Sequence, residues 1–188
     1  MAILKVARMG HPILRQVSQP VPEEELGSPG LLGLVRDLVD TMREYDGAGL
    51  AAPQVHVPRR VVVMELASNP RYPDADPLPL TVLVNPGIEV ISERRIEVLE
   101  GCLSIPGIRG VVPRAAEILV RARDPHGGVF EARYAGFHAA VVQHECDHLD
   151  GVLFVDRVAD TRTLGFVREL ERFGPERAGG PAAPAGDL

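Results

Sequence analysis

The sequence predicts an α+β protein: mainly antiparallel sheets packed around a central helix that carries an H-E-x-x-H motif, with one helix N-terminal and one C-terminal to this arrangement. Three observations carry that expectation. Apolar residues recur at three- and four-residue spacing over residues 31–42, which is one face of a helix. Residues 59–134 instead break into short β-branched runs separated by Pro, Gly and Asn, the pattern of antiparallel strands. Residues 137–149 then return to helix-forming composition and place two histidines four positions apart with a glutamate between them.

Composition bounds the function. A chain of 188 residues fits one domain and can bury roughly 70% of the surface its unfolded form exposes. With 45% hydrophobic and 24% charged residues it has the make-up of an ordinary globular protein. A net charge of -6 argues against a broad nucleic-acid surface, because counterion release needs clustered Lys and Arg. No direct nucleic-acid recognition is therefore expected. Two cysteines, Cys102 and Cys146, point to metal binding or catalysis in a reducing compartment more than to a disulfide framework. The N-terminus lacks a signal-peptide pattern, and no run approaches the 18 apolar residues of a membrane span, so a cytoplasmic protein without a membrane partner is expected.

The elements follow in order. Leu31, Leu34, Val35, Leu38, Val39 and Met42 form the apolar face of the first helix, with Ser28 as N-cap, Pro29 at the first position and Gly47 as the stop. "GAGLAAPQV", residues 47–55, reads as a helix end followed by a turn. Strands are expected in "RRVVVMEL", "LTVLVNPGIEVI", "RRIEVL", "AAEILVRARD" and "GVFEARY". Between the first two lies a Pro-rich loop, within residues 66–79. The second helix should cover Phe137 to Leu149 and the third Thr161 to Arg172. Residues 1–172 are expected to form the catalytic domain, and residues 173–188, rich in Gly, Pro and Ala, a disordered tail.

Chemistry concentrates in the second helix. His144 and His148 lie one turn apart on one face, with Cβ atoms about 5–6 Å apart, close enough to share an ion. Glu145 is offset by about 100°, which places it beside such an ion as a general base and not as a ligand. Histidines making ordinary core hydrogen bonds are the plainer alternative. Cys146 falls about 200° from His144 and points away. No histidine follows His148, and the downstream carboxylates are weak third ligands. Cys102, in "EGCLSIPG", is the better candidate, although a lone cysteine is often just a small buried hydrophobe. One thiolate and two imidazoles would leave a fourth tetrahedral position open, as in catalytic sites. Gln54, a lone amide after a small and apolar segment, could donate to an oxyanion.

These segments together resemble the peptide deformylase family. G-x-G-x-A-A-x-Q occurs as Gly47, Gly49, Ala51, Ala52 and Gln54, E-G-C-x-S as Glu100 to Ser104, and Q-H-E-x-D-H as Gln143 to His148. "GHPILR" matches the family's opening segment, and the likeness spans residues 3–172. The resemblance implies an iron-dependent hydrolase of protein biosynthesis that removes the formyl group from N-formylmethionyl nascent polypeptides and releases formate. Cys102, His144 and His148 would hold one divalent ion, Fe2+ first, with Zn2+, Ni2+ or Co2+ as alternatives. The ion would lower the pKa of its water to give a hydroxide that attacks the formyl carbon, with Glu145 as base and then acid. Gln54 and the Leu103 backbone N–H would stabilise the oxyanion. Gly49 and Gly101 would let backbone approach substrate, Arg109 would contact the peptide, and Val98, Phe137, Ala140 and Val141 would form the methionine pocket. Ala48 is smaller than the branched residue of many relatives, which implies a wider entrance. Transient ribosome association is a further expectation. The rival classes are a zinc endopeptidase and a non-catalytic metal-binding module.

Overall fold

The computed structural model describes residues 2–66 and 76–173. Most of the Pro-rich loop, and residues 174–188 of the expected tail, lie outside the described residues. The first helix, α1 (Pro29–Glu44), begins where Ser28 accepts a hydrogen bond from Leu31 N at 3.2 Å. It ends as expected near Gly47, whose N–H bonds back to Met42 O at 2.9 Å, but the left-handed residue that turns the chain is Asp46, at φ 51°.

Eight strands follow in two sheets. The larger sheet has the order β1 (Gly49–Ala51), β2 (Val61–Leu66), β3 (Leu78–Val90), β6 (Glu117–Arg123), β7 (Val129–Ala135). The smaller has β4 (Arg95–Cys102), β5 (Ile105–Ala115), β8 (Gly165–Phe166). Every ladder in both is antiparallel. β2 explains the apolar run from Val61 to Met64. Successive strand residues point to opposite faces, and here both faces are covered. Val61 and Val63 join a core with Leu38 and Met42 of α1, whereas Val62, Met64 and Leu66 join a core with Val142, Cys146 and Leu149 of the second helix.

That second helix, α2 (Gly136–Leu149), touches residues of all the strands from β1 to β7. From Ala139 onward each of its residues except Gln143 is buried, so it lacks the one-sided pattern of a surface helix. Gln143 is half-buried and docks the helix on β5. Its side chain accepts from Ala115 N and donates to Ala115 O, both at 3.0 Å. A short helix α3 (Phe154–Arg157) and a third core around Leu14, Ile105, Val112, Leu153 and Phe154 close the space under the smaller sheet. Among the described residues no helix is long and apolar enough to cross a membrane.

Three elements differ from expectation. β1 forms where a turn was expected, because Gly49 to Ala51 pair with Val62 to Met64 of a strand ten residues downstream. β5 is a full strand despite Pro106, Gly107 and Pro113. β8 covers its outer edge only at Ile108 and Arg109, so the missing proline N–H groups cost no ladder bonds there. The expected helix over 161–172 is instead a 3-10 turn at Thr161–Thr163, then β8, then α4 (Val167–Phe173). Pairing of Gly165 with Arg109 outweighs the helical periodicity of that segment.

Candidate metal centre and active-site cleft

A cleft of about 920 Å³ opens between α2, the β4–β5 hairpin and the segment leading into β1. Gly49, Gln54, Val98, Gly101, Cys102, Leu103, Arg109, Phe137, Ala140, Val141, His144 and Glu145 all line it. Only His148 of the sequence-derived set lies deeper, 1% exposed behind Cys102. Each arrives by a different route. β4 delivers Cys102 at its end, where the register against β5 shifts between Gly101 and Cys102 and the chain turns through Leu103 and Ser104. The 3-10 turn after β1 delivers Gln54, and α2 delivers His144, Glu145 and His148 from one and a half turns.

Donor atoms of Cys102, His144 and His148 lie within 4.8 Å of one another. Cys102 Sγ stands 3.3 Å from His148 Nε2, and the two imidazole rings meet edge to face at 5.0 Å. In a tetrahedral site with bonds of about 2.0–2.3 Å, donors sit roughly 3.4–3.8 Å apart, so this set fits one small divalent ion. Ser104 N and Gln54 Nε2 approach Sγ at 3.4 and 3.6 Å, so two N–H donors face the sulfur. The second donor of Gln54 Nε2 reaches Ser104 Oγ at 3.2 Å, and its Oε1 accepts from Ala51 N at 2.8 Å, so the amide is held on both sides.

A chain of buried charges runs behind His144. Its Nδ1 meets Glu100 Oε2 at 2.8 Å, which turns Nε2 toward the other donors. Arg114 grips Glu100 through Nε and Nη2 at 2.7 and 2.9 Å and reaches Asp147 with Nη1 at 2.6 Å. Arg157 closes the far side of Asp147 at 2.8 and 3.2 Å. Burial opposes the charge on Glu100, yet Arg114 and His144 outweigh it and hold the carboxyl below its ordinary range. Burial likewise opposes protonation of His144, but Cys102 and Glu100 outweigh it and move the ring well up. His148 moves well down, through burial first and then the charges of His144 and Arg114.

Glu145 sits beside these donors, buried, with Oε2 making no hydrogen bond to the described residues. Burial pushes its carboxyl up to about 7, the range suited to taking and returning a proton. Cys146 belongs to the core with Val62 and Leu149, and burial pushes its thiol up to about 12. It faces away from the donors, as the helical offset predicts.

Sequence reasoning missed Glu100, Arg114 and Asp147 as parts of the site. Glu100 and Asp147 stand inside the quoted motifs but carried no separate signal. Arg114 lies within a strand and nothing near it in sequence announces its partners. Also unforeseen is the wall formed by Phe166, Val167, Arg168, Glu169 and Glu171, which brings β8 and α4 to the cleft.

An antiparallel α+β scaffold that presents H-E-x-x-H and a distant cysteine to one cleft defines a metallohydrolase. The model of the polypeptide deformylase family matches residues 3–163. The chain is 47% identical over 175 residues to peptide deformylase 1 of Prochlorococcus marinus (strain MIT 9313), covering 93% of this chain and 90% of that protein. It is 45% identical over 168 residues to peptide deformylase 1 of Nitrosomonas europaea, covering 89% and 94%. Among solved structures, the Met-Ala-Ser-bound class I type b peptide deformylase of Acinetobacter baumannii superposes with a TM-score of 0.81 at 43% identity, over 84% of this chain and 99% of that one. The chain belongs to the polypeptide deformylase family. It is a metallohydrolase that removes the N-terminal formyl group from newly made polypeptides.

Proposed function

We propose that Cys102, His144 and His148 hold the catalytic ion, that Glu145 moves the proton, and that Gln54 and Leu103 receive the developing oxyanion. One observation carries this reading: three donor atoms converge within 4.8 Å beside a buried carboxylate oxygen that makes no hydrogen bond to the described residues. When bound, a divalent ion supplies Lewis acidity, polarising a carbonyl and lowering the pKa of a water toward about 7. Glu145 takes the proton of the attacking water and returns it to the departing amine nitrogen. The Leu103 backbone N–H donates to the formyl oxygen as its charge grows, and Gln54 Nε2 joins it by turning over the proton that it directs at Cys102 Sγ. One such donor is worth about 3 kcal/mol in the transition state.

The apolar side of the cleft suits a methionine side chain. Val98, Phe137, Ala140 and Val141 line it, and the Acinetobacter relative was solved with Met-Ala-Ser bound. Arg109 contacts the peptide beyond the first residue, and Gly49 and Gly101 leave its backbone room. A hydrogen on the scissile carbonyl carbon fits beside the ligands where a methyl would crowd them, which favours formyl over acetyl. The thiolate and two imidazoles suit Fe2+ as the working ion, and Zn2+, Ni2+ or Co2+ fit the same donors. Residues 1–172 act as one catalytic domain around α2, whose contacts with β1 to β7 support that role. The enzyme works in the cytoplasm on N-formylmethionyl nascent peptides, with transient ribosome association.

Formate release from formyl-Met-Ala, set against acetyl-Met-Ala and an unformylated protein, tests the reading on metal-loaded enzyme. Turnover should be confined to the formyl peptide. Fast cleavage of an unformylated substrate would instead assign the cleft to an endopeptidase.

A further inference from the structure

The helix α3 begins five residues after α2 ends and returns to the back of the metal ligands. Phe154, 1% exposed, lays its ring nearly parallel to that of His144, with centroids 6.3 Å apart and planes at 21°. One turn later Arg157 binds Asp147 with two nitrogens, at 2.8 Å to Oδ1 and 3.2 Å to Oδ2. Arg157 is half-exposed, whereas Asp147 and Arg114 behind it are buried.

We propose that Arg157 is a positioning residue for the metal centre, acting on His144 through Asp147, Arg114 and Glu100. Each guanidinium nitrogen of Arg114 has a carboxylate partner. Arg114 gives Nε and Nη2 to Glu100 and Nη1 to Asp147, while Asp147 Oδ1 has Arg157 as its partner. Two carboxylates face two guanidiniums, so the charges along the chain balance only when the half-exposed Arg157 is counted. Removing Arg157 leaves Asp147 half-compensated in a buried position. Asp147 then relaxes by turning outward or by drawing Arg114 toward itself, and either movement loosens the grip of Arg114 on Glu100. Glu100 is what fixes the His144 ring, so the slack reaches a metal ligand. Outer partners of metal-binding imidazoles set how firmly the ligands are held.

This inference rests on the metal reading above, and the test separates the two. Full-length protein is loaded with Co2+, and release to excess chelator is followed through the loss of thiolate-to-cobalt absorption. Arg157→Ala should release cobalt about tenfold faster than wild type. Arg157→Lys, which keeps one donor and the charge, should fall between them. Arg43→Ala removes another two-nitrogen pair of similar exposure, Arg43 with Glu65, neither of which lines the cleft or joins the charges behind His144, and should leave release unchanged. Unchanged release in Arg157→Ala, or equal acceleration in Arg43→Ala, overturns the positioning role. A wild-type chain that takes up no stoichiometric cobalt overturns the metal reading itself.

Discussion

The carboxylate of Glu145 occupies the volume that a Cβ on Gly49 would need: such an atom would stand 2.6 Å from Oε1 and 2.7 Å from Cδ and Cγ. β1 therefore supplies a seat for the Glu145 carboxylate, the proposed proton carrier, and only glycine leaves it open. Glu145 rides on a buried helix and cannot step aside cheaply. Gly49→Ala should lower kcat on formyl-Met-Ala by on the order of 10²-fold while metal content stays at the wild-type level. Unchanged kcat would detach Gly49 from the placement of Glu145.

Glu145→Gln should keep the ion, because the substitution leaves all three ligands in place. It should lose turnover by about 10²–10⁴-fold, the usual worth of a positioned acid–base group. Thermal stability should not fall, since Glu145 Oε2 makes no hydrogen bond to the described residues that the amide would lose. Elemental analysis, steady-state kinetics and a thermal melt on one preparation check all three.

Cys102→Ser should weaken metal retention strongly, since a hydroxyl is a poor ligand for a site built from a thiolate and two imidazoles. Cys146→Ser, a change in the core behind α2, should leave metal content unchanged. Equal metal content in Cys102→Ser and wild type would remove Cys102 from the ligand set.

Arg114→Ala should unfold the protein far more easily than a surface truncation would. It strips both Glu100 and Asp147 of a buried guanidinium, and breaking such a pair costs about 3–5 kcal/mol. Glu100→Gln keeps one acceptor at that position and leaves Asp147 bound to Arg114, and should cost less. Urea unfolding monitored by circular dichroism gives both values; a loss below about 1 kcal/mol for Arg114→Ala would contradict a buried network.

Acid should destabilise the chain partly through Asp156. Arg15 holds its carboxyl below the ordinary value of 3.8, burial opposes this, and the Leu153 N–H adds to the lowering. A depressed folded-state pKa gives stability that is present above 3.8 and is lost as pH falls through the lower folded value. Asp156→Asn should therefore flatten the dependence of Tm on pH between about 5 and 3. A Tm profile parallel to wild type over that range would show that the Arg15 pair contributes nothing.

Local pattern carried α1, α2 and most strands, because periodicity and capping act over a few residues: Ser28, Pro29 and the Leu31 to Met42 face are enough for α1. It failed where distant pairing decides. Gly165 is drawn into a strand by Arg109, and Gly49 to Ala51 by Val62 to Met64, neither of which a window around those residues can reveal. The site divides in the same way. His144, Glu145 and His148 share one helix, so their geometry follows from 3.6 residues per turn.

The ordered motifs alone were enough to propose the ligands and the proton carrier, since each lies in a short stretch readable from residue type and spacing, and their resemblance to the deformylase family pointed to the reaction. Tertiary structure decided what holds those groups in place. Glu100, Arg114, Asp147 and Arg157 meet across β4, β5, α2 and α3, and α4 becomes a wall of the cleft although no local pattern marks it. Charge compensation in a buried site depends on through-space distance, and distance between separate elements is set only when the whole chain packs.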